Sequence, residues 1–558
     1  MYNHLGETER EFLHEDVGNV LEELYGDQAH EIAVQLARHF VEAGLDDRAL
    51  GYLIQAGDAA YRQYANTEAV AHYTRALNVA LHSESTSQQL VHLYTQRGRI
   101  LELENRYEEA LSNYEEMSVQ AEHLDSQELR LASLNALGTV YAVPSAVTDF
   151  ERAKLTSEQA LALAQELGDR AAEARALWSL LLVYRFGFDE PQQAAGYGEA
   201  SLEIARDLEQ REQLAYILGD LAAIYAQLGH RRKAQILVHE AQKCWHELGN
   251  LPMLANALTG SAMISYETGD FQSAVEAADQ GIEVAEASGN TFVQIFTRSL
   301  TAYVHRDRGD YGTVFRFLET GIRLGREHSM EGFTASCALT LALAYCDLGQ
   351  VEPARALCHQ ALQHVDAAPR FINLPDLHHT LQANLHLMDG NLSAAREAIT
   401  KCRFDTSMAA NSTAPSLLWP SVVCAVALAS QDYDRVTSLA DEIIDRYEHV
   451  GMRAGLPDVL YFKGRAQLAR GDVEAAWQTL NRASTDAESM GARRILWQIL
   501  AALAEIESRR GHVAEAENLR AQAREVIAFI ADHAGTPELC ASFLTRPDVR
   551  AVLEERAE

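Results

Sequence analysis

The sequence predicts an all-α protein: a right-handed superhelical solenoid of about twelve forty-residue helical hairpins, with helical caps at both ends. Three observations lead to this prediction, namely the composition, a repeat period near forty residues, and glycines at one position of most repeats. Only 11 prolines occur in 558 residues, and Ala, Leu, Glu and Gln recur in nearly every window. This composition favours helix, and a chain of this length exceeds what one compact core usually serves.

A glycine followed by Asp, Asn, His or Gln marks the turn of each predicted hairpin. These glycines are spaced 40 or 41 residues apart, with Gln431 filling one gap, at Gly229, Gly269, Gly309, Gly349, Gly390, Gly471 and Gly511. A glycine just past a helix can adopt the left-handed conformation that ends it, and a following Asp or Asn can cap the next helix. Each unit is therefore predicted to be a helix, a tight turn and an antiparallel helix.

A small residue follows each turn by about five positions and extends the register to twelve hairpins. The twelve positions are Ala69, Ala110, Ala153, Ala194, Ala234, Ala274, Val314, Ala354, Ala395, Val436, Ala476 and Ala516. A larger side chain where the two helix axes approach would cost about 1–3 kcal/mol through overpacking. A second glycine set is predicted to end the second helix of its unit, at Gly168, Gly249, Gly289, Gly451 and Gly491. Stacked hairpins then form a superhelix with a concave and a convex side.

The register divides the chain into three predicted parts. Residues 1–45 form an N-terminal helical segment, residues 46–528 form the solenoid, and residues 529–558 form a C-terminal helical cap. Terminal units that depart from the consensus are expected at the ends of such arrays. Two longer connectors interrupt the array at 366–376 and 402–420. The second contains Trp419, and we predict either a plain surface connector or a loop across the groove.

Charge and cysteine content exclude several classes of partner. The formal net charge is −33, and no stripe rich in Lys or Arg occurs, so a nucleic-acid groove is not expected. The chain has neither a charged-then-apolar signal sequence nor an apolar run of membrane-spanning length. The seven cysteines are scattered and never form C-x-x-C, which is typical of reduced core residues. We therefore expect a cytoplasmic protein that binds neither nucleic acid nor membrane.

No motif indicates an enzyme, a cofactor or a metal site. The phosphate-binding pattern G-x-x-x-x-G-K-[ST], the nucleophile motif G-x-S-x-G and the zinc motif H-E-x-x-H are all missing from the sequence. His378, His379 and His386 lie close together, but no thiolate or carboxylate stands at ligand spacing. We expect ordinary histidines there, no catalytic residues, no metal and no cofactor.

The segment LAAIYAQLGHRRKAQILVHEA resembles a tetratricopeptide repeat. The matching positions are Leu221, Ala222, Tyr225, Gly229, Ala234 and Ala241. The resemblance covers roughly residues 46–528 and departs from the family in unit length, because the usual repeat is shorter. The longer unit resembles the sensor solenoids of bacterial signal-transduction ATPases with numerous domains, such as maltotriose-responsive, LuxR-like transcription regulators.

Both ends of the chain strengthen this second resemblance. Residues 13–77 resemble the segment that joins the ATPase module to the repeats in multidomain regulators, and ASFLTRPDVRAVL resembles their natural C terminus. The resemblance implies a sensor that binds a small-molecule or peptide inducer and controls an ATPase module absent from this chain. The alternative is a protein–protein interaction adaptor that holds a helix or peptide of a protein partner in its groove.

Counting back from each small residue places a set of polar and aromatic side chains on the concave side. These are His92, Arg99, Asn256, Tyr266, Tyr303, Arg306, Asn384, Tyr461 and Arg465. The predicted ligand-binding residues are Tyr266, Tyr303, Arg306, Asn384, Asn256, Tyr461 and Arg465. We call Tyr266, Tyr303 and Arg306 the central patch, because neighbouring helices lie about 8–10 Å apart and one ligand could contact all three. For any one residue, the alternative is a solvated groove position or an ion pair within its own repeat.

Overall fold

The regular structure of the chain is helical. The computed structural model describes residues 6–63, 65–83, 85–188, 190–365, 373–403, 406 and 414–554, and these contain helices and no strand. The predicted all-α class is therefore confirmed. The chain forms two compact units, Met1–Leu208 and Glu209–Glu558, called unit 1 and unit 2. Across the described residues, none of the helices has both the length and the apolar character that crossing a bilayer requires.

Unit 1 begins with a helical segment and continues with four hairpins. Its helices are α1 (Glu7–Tyr25), a 3-10 helix (Gly26–Ile32), α2 (Ala33–Glu42), α3 (Asp46–Arg62), α4 (Asn66–Ala80), α5 (Ser87–Leu103), α6 (Tyr107–His123), α7 (Gln127–Ala142), α8 (Phe150–Leu167), α9 (Arg170–Phe186) and α10 (Pro191–Asp207). The hairpins run from α3/α4 to α9/α10, and Ala69, the first small residue of the register, lies in α4.

Unit 2 contains eight hairpins and two short terminal helices. Its helices are α11 (Arg211–Gln227), α12 (Arg231–Glu247), α13 (Leu251–Glu267), α14 (Phe271–Ala287), α15 (Thr291–Arg308), α16 (Tyr311–Glu327), α17 (Glu331–Asp347), α18 (Val351–Leu362), α19 (Leu374–Met388), α20 (Leu392–Thr400), α21 (Ala414–Ala429), α22 (Tyr433–Val450), α23 (Leu456–Ala469), α24 (Val473–Met490), α25 (Arg493–Arg509), α26 (Val513–Asp532), α27 (Pro537–Thr545) and α28 (Pro547–Glu554). Within the described part of the chain, the hairpins of the two units together number twelve, as the register predicts.

The glycines of the register adopt the backbone conformation predicted for them. The seven turn glycines have φ between 72° and 88°, and Gln431 has φ 58°. The five glycines of the second set have φ between 66° and 73°. The predicted capping residue after the turn accepts a backbone hydrogen bond in four hairpins, through Asp270, Asp310, Asn391 and Asp432. Both predicted roles of the turn residues, ending one helix and capping the next, are confirmed at these positions.

The twelve small residues of the register are completely buried. Each of them, from Ala69 to Ala516, has 0 % exposure and lies in the first turn of the second helix of its hairpin. The two helices are in contact at this level, so a bulkier side chain would have to push them apart. This burial agrees with the requirement for small residues, and the cost of a larger side chain stays a prediction.

The two predicted connectors fall largely outside the described residues. This holds for residues 366–372 of the first connector and for 404–405 and 407–413 of the second. The second connector is shorter than predicted, because α21 begins at Ala414 and contains Pro420. The predicted connector ended at Pro420, a residue type that usually interrupts a helix, whereas α21 continues through it. Trp419 lies within α21 and is 5 % exposed; the loop across a groove stays a prediction.

Candidate functional site

The central patch predicted from the sequence is assembled in unit 2, where it is buried. Tyr266 lies at the end of α13, and Tyr303 and Arg306 lie near the end of α15. Their exposed fractions are 2 %, 2 % and 8 %. The hydroxyl groups of Tyr303 and Thr340 are 3.3 Å apart. The three residues therefore meet neighbouring protein groups, and their predicted binding of a ligand stays a prediction.

Arg306 forms a bidentate ion pair with Asp347 of the next hairpin. Its Nε donates to Oδ2 of Asp347 at 2.6 Å and its Nη2 donates to Oδ1 at 3.1 Å. The hydroxyl of Tyr311 donates to the same carboxylate at 3.0 Å. A bidentate guanidinium–carboxylate pair fixes both partners in orientation. The sequence alternative for a single residue was an ion pair within its own repeat, but the partner of Arg306 lies on α17 of the next hairpin, so the pair joins two repeats.

Asp307, the neighbour of Arg306, connects the patch to helices much later in the chain. Its Oδ2 accepts a hydrogen bond from the hydroxyl of Tyr266 at 2.7 Å, and its Oδ1 accepts one from Nε of Arg494 at 2.6 Å. Nη2 of Arg494 also donates to both oxygens of Asp458 at 2.9 Å. Arg494 thus bridges α15 and α23 from its position in α25.

The pKa values of Asp307 and Asp458 in this network shift in opposite directions. Burial acts to raise the pKa of Asp307, but the charges of Arg494 and Arg306 and its hydrogen bonds outweigh burial, so its pKa is lowered. Burial also raises the pKa of Asp458, and there the charge of Arg494 does not offset it. Charged groups removed from water are stable only when they are paired and hydrogen-bonded. The arrangement suits a structural clamp between helices.

Three acids in or beside this network share one position in the repeat. Glu267, Asp307 and Asp347 each lie two residues before a turn glycine in three consecutive hairpins. Glu267 is paired with Arg231, and its carbonyl accepts a hydrogen bond from the backbone N–H of Arg453 at 2.7 Å. Sequence reasoning missed these acids. Comparing the residue two places before each turn glycine would have identified them.

Three turn glycines of unit 2 lie directly against its later helices. The pairs, each 221 residues apart, are Gly229 with Val450, Gly269 with Met490, and Gly309 with Ile530. A Cβ atom built on any of these glycines would lie 2.9 Å or less from an atom of its partner. Unit 2 therefore coils until its early hairpins contact its late ones, and this contact explains the burial of the central patch.

The remaining candidates of unit 2 lie at other positions of α13, α19 and α23. Asn256 is exposed in α13, and Asn384 is half-buried in α19. Tyr461 and Arg465 are half-buried in α23, where Nη1 of Arg465 donates to Oε2 of Glu505 at 3.2 Å. Among the described residues, none of the four shares a hydrogen bond or ion pair with the patch. His92 and Arg99 belong to α5 of unit 1.

The histidines of α19 give a pH-dependent prediction. No three His, Cys, Asp or Glu side chains of the described residues form a metal-ligand group. Burial, helped by the charge of His379, lowers the pKa of His378 from 6.5 to about 4. The folded state therefore favours neutral His378, and its contribution to stability is complete above pH 6.5 and lost as the pH falls towards 4.

We expect the melting temperature of His378→Leu to fall less than that of the parent between pH 6.5 and about pH 4. The unfolding free energy tied to this titration is about 3 kcal/mol, at about 1.4 kcal/mol per pH unit. The measurement is the melting temperature as a function of pH, with His379→Leu as control. Identical pH profiles for His378→Leu and the parent would show that this residue does not titrate as proposed.

Comparisons with known proteins concern the fold. No protein-family model matches the chain, and no curated protein is significantly similar to it in sequence. Solved structures that resemble it include a Rap protein complexed with Competence and Sporulation Factor (16% identity, TM-score 0.44, 65% of this chain and 99% of that chain). Others are yeast Tom70 (13%, 0.34, 91% and 100%) and the APC/C hetero-tetramer Cut9-Hcn1 (14%, 0.47, 90% and 96%). At these identities the chain is similar in fold alone to tetratricopeptide-like helical-repeat proteins.

Proposed function

We propose that this chain is a non-enzymatic binding solenoid with a protein partner. The observation that carries the proposal is an exposed apolar stripe on α1 in unit 1. Its members are Leu13, Val17, Val20 and Leu24, with exposed fractions of 46 %, 42 %, 62 % and 74 %. Spacings of four, three and four residues place these side chains on one face of the helix.

The stripe is separate from the face of α1 that the fold uses. His14 and Gly18 are buried, and a Cβ on Gly18 would lie 2.6 Å from the ring of Phe40. Val34 and Val41 of α2 are 52 % and 43 % exposed. Among the described residues, eight of the twenty exposed large hydrophobic side chains lie between positions 12 and 41. A local concentration of this kind is typical of a protein interaction site.

The partner that we assign to the stripe is the ATPase module of the same regulator. Residues 1–45 are the part of the chain that resembles the link to such a module, and the stripe falls within them. The first test is the reading frame that encodes this chain. A phosphate-binding motif upstream supports the assignment, whereas a frame that begins at Met1 favours the adaptor.

We expect Leu24→Lys to weaken association with the upstream module roughly tenfold or more, because a buried leucine contributes about 1.5–3 kcal/mol. The two segments would be purified separately and their affinity measured by calorimetry. Leu155→Lys is the matched control, since Leu155 is also exposed (57 %) in unit 1 but lies on α8. Both variants should melt close to the parent. Equal affinities for the two variants would remove the stripe from the interface.

A second candidate function is ligand sensing at the central patch. It is favoured by the ion pair of Arg306 with Asp347, because an anionic inducer could compete for the guanidinium. Such a ligand must bind more tightly to the state in which early and late hairpins of unit 2 are apart. A ligand with equal affinity for both states would not change their populations.

The test of this candidate is a thermal-shift screen of the chain with small molecules and peptides. A ligand of the patch should bind Arg306→Lys more weakly than the parent, since lysine cannot form the two-pronged contact. Arg323→Lys, an exposed position on α16, is the control. Unchanged affinity for Arg306→Lys would place the ligand elsewhere.

A further inference from the structure

A pocket of about 450 Å³ lies in unit 2 between the turn before α14 and the turn before α25. Three arginines line it, Arg308, Arg453 and Arg493, together with one acid, Asp270. In a chain with a net charge of −33, a pocket with this excess of positive charge is unusual. Neither the tetratricopeptide resemblance nor the central patch accounts for it.

The coiling of unit 2 brings these arginines together from three separate segments. Arg308 ends α15, Arg453 lies between α22 and α23, and Arg493 begins α25. A Cβ built on Gly269 would lie 3.3 Å from Cβ of Arg453, and one on Gly309 would lie 3.5 Å from Cβ of Arg493. The stems of the two later arginines therefore lie over the turns of the early hairpins.

Two of the three guanidinium groups have no ion-pair partner among the residues that the structure describes. Arg453 donates from Nη2 to Asp486 and to Ser489, both at 2.9 Å. Neither Arg308 nor Arg493 forms a side-chain hydrogen bond or ion pair with any residue that the structure describes. The guanidinium of Arg493 lies over the ring of Phe529, 4.0 Å from its centroid.

Arg493 also experiences the charge of Arg308. Burial lowers the pKa of Arg493, and the charge of Arg308 lowers it further. The two cations are thus close enough to repel each other. Among the described residues, Asp270 forms no ion pair with either cation, and its carboxylate accepts the backbone N–H of Ser273 at 3.1 Å as the cap of α14.

We propose that this pocket binds a small multivalent oxyanion, carrying phosphate or carboxylate groups, between Arg308 and Arg493, with Arg453 at its edge. Guanidinium groups offer paired N–H donors that match the oxygens of either group. A bound anion replaces repulsion between two cations by attraction to both. Because the pocket spans an early and a late turn of unit 2, binding also holds the early hairpins against the late ones. The inference is independent of the partner assigned to α1.

The test uses the full chain with pyrophosphate and citrate as probes at about 0.15 M ionic strength. Calorimetry should show saturable binding that Arg308→Gln and Arg493→Gln each weaken roughly tenfold or more, as expected for loss of a charge-assisted hydrogen bond. Preference for pyrophosphate identifies a phosphorylated ligand, and preference for citrate identifies a polycarboxylate. Absence of saturable binding to both probes overturns the proposal.

A melting measurement separates loss of binding from loss of folding. Arg308→Gln removes one of two repelling cations, so its melting temperature without anion should equal or exceed that of the parent. The rise caused by the anion should be lost in this variant. Arg323→Gln, whose side chain is exposed and paired with Glu327 on α16, should bind the probes like the parent. Parent-like binding by both pocket variants would also overturn the proposal.

Discussion

Replacing Arg494 by methionine should destabilise unit 2 by about 3–5 kcal/mol, the usual cost of leaving buried charges without their partner. Arg494 neutralises both Asp307 and Asp458, which are 4 % and 5 % exposed. Without it, two carboxylates face each other where water cannot screen them. The measurement is urea denaturation followed by circular dichroism, with hydrogen exchange to locate the loss in unit 2.

Two comparisons show whether the buried network is the cause. Adding Asp307→Asn and Asp458→Asn to the variant should recover much of the loss, because neutral groups need no counter-charge. Arg482→Met breaks an exposed ion pair with Glu448, whose side chains are 45 % and 51 % exposed, and should cost less than about 1 kcal/mol. Equal costs for Arg494→Met and Arg482→Met would contradict a clamping role.

The features that the sequence predicted correctly depend on contacts within one hairpin. The positive φ of Gly269 and the capping role of Asp270 depend on a few neighbouring residues. The complete burial of Ala274 depends on the two helices of its own hairpin. Such short-range requirements repeat in every unit, so a single sequence shows them as a period.

The features that the sequence did not predict depend on contacts between distant hairpins. The period indicates which neighbour each hairpin packs on. It does not indicate how many hairpins separate the early and late helices that come into contact, because that number depends on a small rotation between units that accumulates along the array. Asp307 and Arg494 lie 187 residues apart. The burial of Tyr266, Tyr303 and Arg306 by later helices could therefore not be anticipated.

The turn glycines show the same division between short-range and long-range requirements. From the sequence, the turn glycines were explained by backbone conformation alone. This explanation is sufficient at Gly471 and Gly511, because a Cβ atom there would meet nothing within 4 Å. At Gly229 a second requirement applies, since a Cβ would lie 2.7 Å from Cα of Val450 and 3.2 Å from the carbonyl oxygen of His449. Backbone atoms cannot move aside as the end of a side chain can.

Gly229→Ala should therefore cost about 1–3 kcal/mol more than Gly511→Ala, the usual range for overpacking. The two glycines have φ 81° and 80°, and each precedes a histidine. The conformational strain of alanine, about 1–2 kcal/mol, is then common to both variants and cancels in the comparison.

Urea denaturation of the two variants measures this difference directly. A larger loss for Gly229→Ala, with hydrogen exchange increased both in the turn at 229 and near Val450, would show that early and late hairpins of unit 2 stabilise each other. Equal losses would mean that the contact between Gly229 and Val450 adds no stability. In that case, the burial of Tyr266, Tyr303 and Arg306 would depend on the other contacts between early and late hairpins, among them the ion network around Arg494.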